Sequence, residues 1–508
     1  MTELPYGRPP GGRFGLGKLL LAITLSAAWY LALRPAVDPD YGWHVENGRR
    51  VLDGSAFAGR DPYSWTATGE WIVHEWLVEA GMSAIHDWIG PAGNSILAAL
   101  LWTFAFLLVA WRLRARGFGW PPVVLTVALG FLCTMMSAGV RPQVLELVFL
   151  AASLIVVDMR RKETMSIIRF VGSMAVLMVL WVNTHGSFPL LIAVLGASAA
   201  GALLERHPAW RSYGLAVVVT ALAAMSNPWG WDIYGFATQS MMSQPTLQSI
   251  EEWKAPKLLT GSLLPFDIAA ILAMAAALVT TGRLSRKKDG KTLSEPNAGD
   301  VLVFLGMLYL ALSSGRHVML FGIGAAPLIA WAIDMSGHRL RRRQLDSGGN
   351  GRVGDQRVKA VIHIAAATVV VVAIAVAGWR AVSPAAQSRA IASRYPAGIV
   401  DELRTLVRSP GRMFNEYSWG GFLIANDVTP VFIDGRSELY GDAQLIRYGR
   451  IVRMSPGWND TVDSLGVNVA VLRRDSPLAA ALGGLGWRIA ASDSVGVALV
   501  RSRLVSPR

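Results

Sequence analysis

Long apolar runs, each closed by a short polar stretch, recur almost from end to end of the chain. A helix needs roughly 20 predominantly apolar residues to cross the hydrocarbon of a bilayer. Measured against that length, the pattern predicts about eleven membrane-spanning helices, near residues 16–36, 94–111, 121–139, 142–158, 167–183, 187–204, 212–226, 263–281, 300–314, 317–335 and 360–379. Beyond residue 385 the pattern changes. Val431-Phe-Ile-Asp434, Val467 to Leu472 and Val495 to Val500 read as buried strands, and Pro477 to Leu485 reads as a short helix between the last two. The predicted fold class is mainly α. A polytopic membrane helical bundle occupies residues 1–380, with outer loops at 38–93 and 227–262, and a small extracytoplasmic α/β domain occupies 385–508. No repeat of fixed period is present.

Composition agrees, with 53% hydrophobic and only 16% charged residues. Where the charges fall predicts an orientation, because Lys and Arg concentrate in cytoplasmic loops. Arg112, Arg114 and Arg116, then Arg160, Arg161, Lys162 and Arg169, then Arg206 and Arg211, then Arg283 to Lys291, and last Arg339 to Arg343 mark alternate connections, while the intervening ones hold few. This places the N-terminus inside and the C-terminal domain outside a bacterial cytoplasmic membrane. The net charge of +13 then reflects inner loops facing anionic membrane lipids. The interleaved basic and aromatic pattern of a nucleic-acid surface is missing, so no nucleic-acid partner is expected. The single cysteine, Cys133, lies within the third run and permits no intrachain disulfide. Arg13 and Lys18 give the first run a basic approach as in a signal peptide, but the run is long for a signal core and reads as an uncleaved anchor.

The chemistry-bearing residues fall on the outer side. Asp38-Pro-Asp40-Tyr-Gly-Trp-His44 follows the first span and opens the loop that ends in Trp71-Ile-Val-His74-Glu75-Trp76-Leu77. Arg141-Pro-Gln143, Asn183-Thr-His185, Asn227-Pro-Trp, Glu251-Glu252-Trp253 and Arg316-His317 mark the outer ends of later spans. Ionisable groups at membrane depth are costly and usually face a cavity or a partner, so their shared side predicts a shared cavity. Each has a plainer reading as well. Arg141 and Arg316 read equally as side chains snorkelling to lipid phosphates, His185-Gly as a tight turn, Asn227-Pro-Trp as a helix stop, and Glu251 and Glu252 as a solvated loop face. Asp38 and Asp40, stiffened by Pro39, are harder to explain as a simple cap.

Such a cavity suits transfer from a lipid-linked phosphate donor. Soluble nucleotide sugars are absent outside the cytoplasm, so an activated sugar arrives there on a polyprenyl phosphate. The leaving phosphate needs its charge stabilised, and the acceptor hydroxyl needs a carboxylate base within reach. Asp38 or Asp40 supplies the base. Arg141, Arg316 and His317 supply a phosphate clamp, with His44, His74, Glu75, Gln143, His185 and Glu252 as further substrate-binding candidates.

A first outer loop with an acidic residue directly after the first span, an amphipathic stretch (Val45–Leu52) and then a Trp-x-x-His element resembles the GT-C superfamily of polyprenyl-phosphate-sugar glycosyltransferases. The likeness is to its ArnT-like and Rgt-like bacterial branch. Asp38 and Asp40 match the acidic position, and Trp71, His74 and Leu77 match the later element, in which Glu75-Trp76 stands where the branch has Pro-Pro. The likeness covers roughly residues 16–190. It implies a polyprenyl-phosphate sugar donor, a glycan or lipid acceptor, and transfer at the outer face of the membrane. The Trp-Trp-Asp acceptor motif of oligosaccharyltransferases is missing, which speaks against peptide glycosylation.

In the C-terminal domain, Asp434-Gly-Arg436 follows a predicted strand, where ligands of α/β domains gather. Asp434 and Arg436 are therefore candidates to contact an acceptor glycan or to close over the cavity. An Asp-Gly turn with Arg436 paired to Glu438 is the structural alternative. Asp38-x-Asp40 is also a possible ligand pair for Mg²⁺ or Mn²⁺. Two other functions remain open on sequence alone. In a transporter or channel, Asp, His and Arg would form an ion path, and in a non-catalytic assembly subunit the outer domain would bind a partner.

Overall fold

The computed structural model describes residues 15–57, 60–67, 70–242, 253–284, 294–345, 356–408 and 412–501. Each of the eleven apolar runs lies in helix. In chain order the helices are α1 (Leu16–Ala32), α2 (Tyr41–Leu52), α3 (Trp76–Ile89), α4 (Pro91–Ala115), α5 (Trp120–Thr134), α6 (Val144–Arg161), α7 (Ile167–Val182), α8 (Pro189–Leu204), α9 (Trp210–Ala223), α10 (Asp232–Met242), α11 (Leu264–Leu284), α12 (Ala298–Ser313), α13 (Val318–Gly324), α14 (Ala326–Leu345) and α15 (Gln356–Val382). Proline at the first turn starts α4 and α8, where its missing N–H has no intrahelical partner to lose.

The helices are shorter than eleven full spans. Among the described residues, Pro91–Ala115, Trp120–Ser137, Leu264–Arg283 and Ala365–Val382 are long and apolar enough to cross a membrane, and Gly315–Gly324 with Ala326–Gly337 form a fifth if joined across a 58° bend. Five more apolar helices, α1, α7, α8, α9 and α12, have between 10 and 17 residues. The remaining run, α6, has 18 residues but carries charge at both ends, where Glu146 and Asp158 lie buried with partners on other parts of the bundle.

At one end of the bundle, Arg112 and Arg116 of α4 bridge Asp158 of α6 and Asp300 of α12. Arg112 Nε reaches Asp158 Oδ2 at 2.9 Å, and Arg116 Nη1 reaches Asp300 Oδ2 at 2.8 Å. All four side chains are buried. Two cations facing two anions make a neutral set whose mutual attraction offsets the cost of removing each from water. Asp300 also closes a capping box with Asn297 at the start of α12.

After α15, α16 (Pro384–Ala392) and α17 (Val400–Arg408) lead into a four-stranded sheet. Its strands, β1 (Arg412–Asn415), β2 (Val467–Arg473), β3 (Arg488–Ser492) and β4 (Gly496–Val500), run in the order β1-β2-β4-β3. β1 pairs with β2 in parallel, with Met413 opposite Val469, and the other two pairings are antiparallel. Helices α18 (Gly420–Ala425), α19 (Ser437–Val452), α20 (Trp458–Ser464) and α21 (Pro477–Gly484) surround it.

Two of the three expected strands, and the helix between them, are present. The third is corrected. Val431–Asp434 is buried but lies outside the sheet, with Val431 making an isolated bridge to Ser64. Its amides turn to other partners: Val431 N donates to Tyr63 O at 2.8 Å, and Phe432 N donates to Asn415 Oδ1 at 2.8 Å.

The first loop is built into this domain. One apolar cluster joins Val37, Trp43 and Tyr63 of the loop to Trp419, Leu423 and Val469, and another packs Trp65 and Trp71 against Phe414, Phe432 and Leu439. Backbones meet where Gly42 of α2 faces Gly421 of α18, since a side chain on either glycine would strike the opposite chain.

Candidate active site

α2 and α3 pack side by side and set the floor of the site. Gly48 of α2 lies against the Glu79 carbonyl with no room for a side chain, which brings the helices to backbone contact. His44 and Asn47 then face α3 from one side of α2, and Glu75 and Glu79, four residues apart, face back. His44 Nδ1 lies 3.0 Å from Glu79 Oε1 and 3.7 Å from Glu75 Oε2, and Asn47 Nδ2 donates to Glu79 Oε2 at 2.5 Å.

Glu75 gathers the histidines. Its Oε1 lies 3.6 Å from His74 Nε2 and 3.6 Å from His185 Nε2. Burial opposes its charge, but the imidazole of His74, then those of His44 and His185, override this and hold Glu75 at about 2. Burial likewise opposes charge on His74, yet Glu75 outweighs it and raises His74 to about 9. His44 is raised for the same reason, its largest favourable partner being Glu79. An ionised Glu75 beside a protonated His74 is therefore the resting state of that pair.

His185 extends the network into the bundle. Its Nδ1 lies 3.4 Å from Glu146 Oε2 and 2.7 Å from Ser187 Oγ. Arg316 Nη2 donates to Gln143 Oε1 at 2.9 Å, lies 3.4 Å from His185 Nε2, and its guanidinium covers the Trp253 ring at 5.1 Å. His317 meets the other aspect of Trp253, edge to face at 6.1 Å. Polar ends from four different helix connections thus converge on the first loop.

Asp38 and Asp40 stand at the other side of His44. Arg141 pairs with Asp38 through Nε, and Asp38 Oδ1 accepts the Asp40 backbone N–H at 3.1 Å. Asp40 Oδ1 accepts from Trp43 Nε1 at 3.0 Å. Burial first, and the Asp38 carboxylate second, raise Asp40 to about 6. Asp40 is thus a carboxylate tuned close to neutral pH, as a proton acceptor needs to be.

The structure treats Asp434 and Arg436 differently from the expectation. Both are fully buried. Arg436 forks onto Asp434, with Nε to Oδ1 at 2.8 Å and Nη2 to Oδ2 at 2.6 Å, and reaches Asp61 Oδ1 of the first loop at 2.5 Å. Its guanidinium stacks on Trp71 at 4.3 Å. Asp434 and Arg436 therefore bolt the domain to the loop instead of facing a cavity, and the Arg436 partners are Asp434 and Asp61, not Glu438. Glu252 lies outside the described residues.

The group best arranged to hold a metal is also not Asp38 with Asp40. Among the described residues, His44, Glu75 and Glu79 each offer a ligand atom, all within 4.8 Å of one another. The Asn47 side-chain oxygen beside them is buried without a hydrogen-bond partner. One imidazole, two carboxylates and a nearby amide oxygen suit a divalent cation. The sequence reading missed Glu79, Asn47 and Glu146. The four-residue spacing of Glu75 and Glu79 against the three-residue spacing of His44 and Asn47 was the available signal.

A cleft of about 350 Å³ opens beside this cluster, bounded by Trp71 and Ile72 of the first loop, Trp231 and Phe236 at the start of α10, and Glu438 of α19. His74 stacks on Phe236 at 4.3 Å, so the cleft wall and the histidine cluster share a side chain.

No protein-family model matches the chain, and no curated protein matches it. Solved structures do. The oligosaccharyltransferase AglB from Archaeoglobus fulgidus, in complex with an inhibitory peptide and a dolichol-phosphate, superposes with a TM-score of 0.57 at 11% identity over 90% of this chain and 69% of AglB. ArnT from Cupriavidus metallidurans, in the apo state, superposes with a TM-score of 0.52 at 18% identity over 96% of this chain and 98% of ArnT. The fold is that of the GT-C glycosyltransferases. The resemblance drawn from the first loop is borne out at that level, and it extends over most of the chain, well beyond residue 190.

Proposed function

We propose that the chain is a membrane glycosyltransferase that moves a sugar from a polyprenyl-phosphate donor to an acceptor hydroxyl at the outer face of the cytoplasmic membrane. The observation that carries this reading is the pairing of a near-neutral carboxylate, Asp40, with two guanidinium groups, Arg316 beside His185 and Arg141 beside Asp38, at the same end of a bundle with the GT-C fold.

In this reading Asp40 accepts the proton of the acceptor hydroxyl as its oxygen bonds to the anomeric carbon. The bond from that carbon to the phosphate oxygen breaks, and its electron pair leaves with the polyprenyl phosphate. Asp38, fixed by Arg141, holds the Asp40 backbone in place and keeps its carboxyl basic. Arg316, positioned by Gln143 and stacked on Trp253, supports the charge on the departing phosphate. His44, Glu75 and Glu79 would hold a divalent cation, which would supply positive charge at that end of the site.

The test is turnover of polyprenyl-phosphate-linked sugars by the purified protein in lipid nanodiscs, read as released polyprenyl phosphate. Release that depends on Asp40 supports the reading. Binding of polyprenyl phosphate without turnover of any sugar tried, and without effect of Asp40→Asn, would point to a scaffold instead.

A further inference from the structure

The cleft beside His74 has a chemistry that the phosphate clamp does not share. Three aromatic rings line it, those of Trp71, Trp231 and Phe236, together with the carboxylates of Glu70, Asp232 and Glu438. Among the described residues lining it there is no Lys or Arg. At about 350 Å³ it falls at the small end of the range for ligand sites, roughly 300–1,000 Å³.

Flat aromatic faces take the C–H faces of sugar rings, and carboxylates accept hydrogen bonds from hydroxyls. Acidic side chains with no Lys or Arg among them also repel a phosphate or a uronate, because like charges at close range in a partly desolvated site cost far more than in water. The location adds to this. Trp71 contacts Trp43 edge to face at 5.9 Å, and Trp43 donates to Asp40, so one wall of the cleft lies a single ring from the proposed base. Glu438 is on the same side, at the start of α19, where burial raises its carboxyl above the usual range and the nearby His74 charge partly offsets this.

We infer that this cleft is the acceptor subsite and that it takes the end of a glycan bearing no negative charge. The inference rests on the transferase reading and makes it narrower: the donor phosphate is held at Arg316 and His185, while the acceptor enters between Trp71, Trp231 and Glu438. The two substrates are thereby sorted by charge, the anion toward the guanidinium and the neutral glycan toward the carboxylates.

The experiment uses the full chain in nanodiscs, with saturation-transfer NMR of a neutral tetrasaccharide, cellotetraose, against an anionic one of equal length, tetragalacturonate. The neutral probe is expected to give transfer and the anionic one little. Trp231→Ala should cut the neutral signal at least tenfold, and the triple variant Glu70→Gln, Asp232→Asn, Glu438→Gln should admit the anionic probe. Trp231 is 62% exposed, so its removal leaves folding intact. Equal or stronger binding of tetragalacturonate to the native chain, binding of neither probe, or neutral binding indifferent to Trp231→Ala overturns the inference. Polyprenyl phosphate binding, measured in the same sample, separates the failures. If it persists, only the acceptor assignment falls, and if it is lost, the transferase reading falls with it.

Discussion

Gly435 of the C-terminal domain seats its backbone directly on the carboxylate of Asp40, leaving no room for even a methyl group between them. The proposed base is therefore positioned by two parts of the chain far apart in sequence, its own loop and the turn between Asp434 and Arg436. Gly435→Ala must displace one or the other. A misplacement of about 1 Å at a reacting group costs on the order of 10²-fold in rate. We expect a loss of that size in sugar transfer, with cooperative thermal unfolding retained. A native rate in Gly435→Ala would show that Asp40 does not need this contact.

Asp40→Asn keeps the size of the side chain and its hydrogen bond with Trp43 while removing the proton acceptor. Transfer should fall roughly 10²–10⁴-fold. Its raised value means that the fold already disfavours the ionised form at neutral pH, so Asp40→Asn should leave the melting temperature at pH 7 unchanged or slightly higher. Asp38→Asn acts only through position and charge, and its loss should be smaller. Comparable rates in both variants and the native chain would move the base elsewhere, with Glu75 the next candidate.

The pH profile follows from the same shift. A base must be ionised, and Asp40 sits at about 6, so kcat/KM should be level above that value and fall about tenfold per unit below it. Asp38→Asn removes the neighbouring negative charge that helps raise Asp40, so the acid limb should move to lower pH. A limb that stays in place, or moves up, contradicts the assignment.

Much of this was legible in the sequence, for physical reasons that particular residues illustrate. Apolar runs of membrane length have few alternatives to helix, since every backbone group must be satisfied within the segment. β2 and β4 are Val-rich, mostly apolar runs. Val431–Asp434 looks no different in composition, and only the Asn415 side chain, taking the amides that a strand would have used, sets it apart. β1 and β3 carry too few apolar residues to stand out. The convergence of Asp38, Arg141, His185 and Arg316 follows from all of them lying at the ends of apolar runs on one side, and His44 and Glu75 join them from the loop after the first run. The pairing of Arg436 with Asp61 links residues 375 positions apart, and no local pattern encodes it.

Arg316→Ala removes a charged donor held by Gln143 over Trp253. A hydrogen bond to a charged group is worth about 1.5–3 kcal/mol, so donor KM should rise roughly tenfold or more while affinity for the neutral tetrasaccharide is unchanged. Measuring the two separately tests whether Arg316 belongs to the donor side. An unchanged donor KM would return it to a lipid-headgroup role.

Arg436→Met leaves Asp61 and Asp434 buried without their cation. Breaking a buried pair by removing one partner typically costs about 3–5 kcal/mol, so the melting temperature should drop sharply and donor turnover with it. The triple variant Asp61→Leu, Asp434→Leu, Arg436→Met removes both orphaned charges, and should be recovered part-way in stability relative to Arg436→Met alone. Equal melting temperatures for Arg436→Met and the native chain would show the clamp to be dispensable.

The cores of the C-terminal domain borrow Val37, Trp43, Tyr63, Trp65 and Trp71 from the first loop, a segment far earlier in the chain. That loop can acquire its shape only after β1, β2 and β4 exist to receive it. The apolar helices share a core of their own, whereas the surface that seats Asp40 comes from Gly435. The seat of the proposed base thus depends on the C-terminal domain being folded, although Asp40 itself belongs to the loop after the first helix.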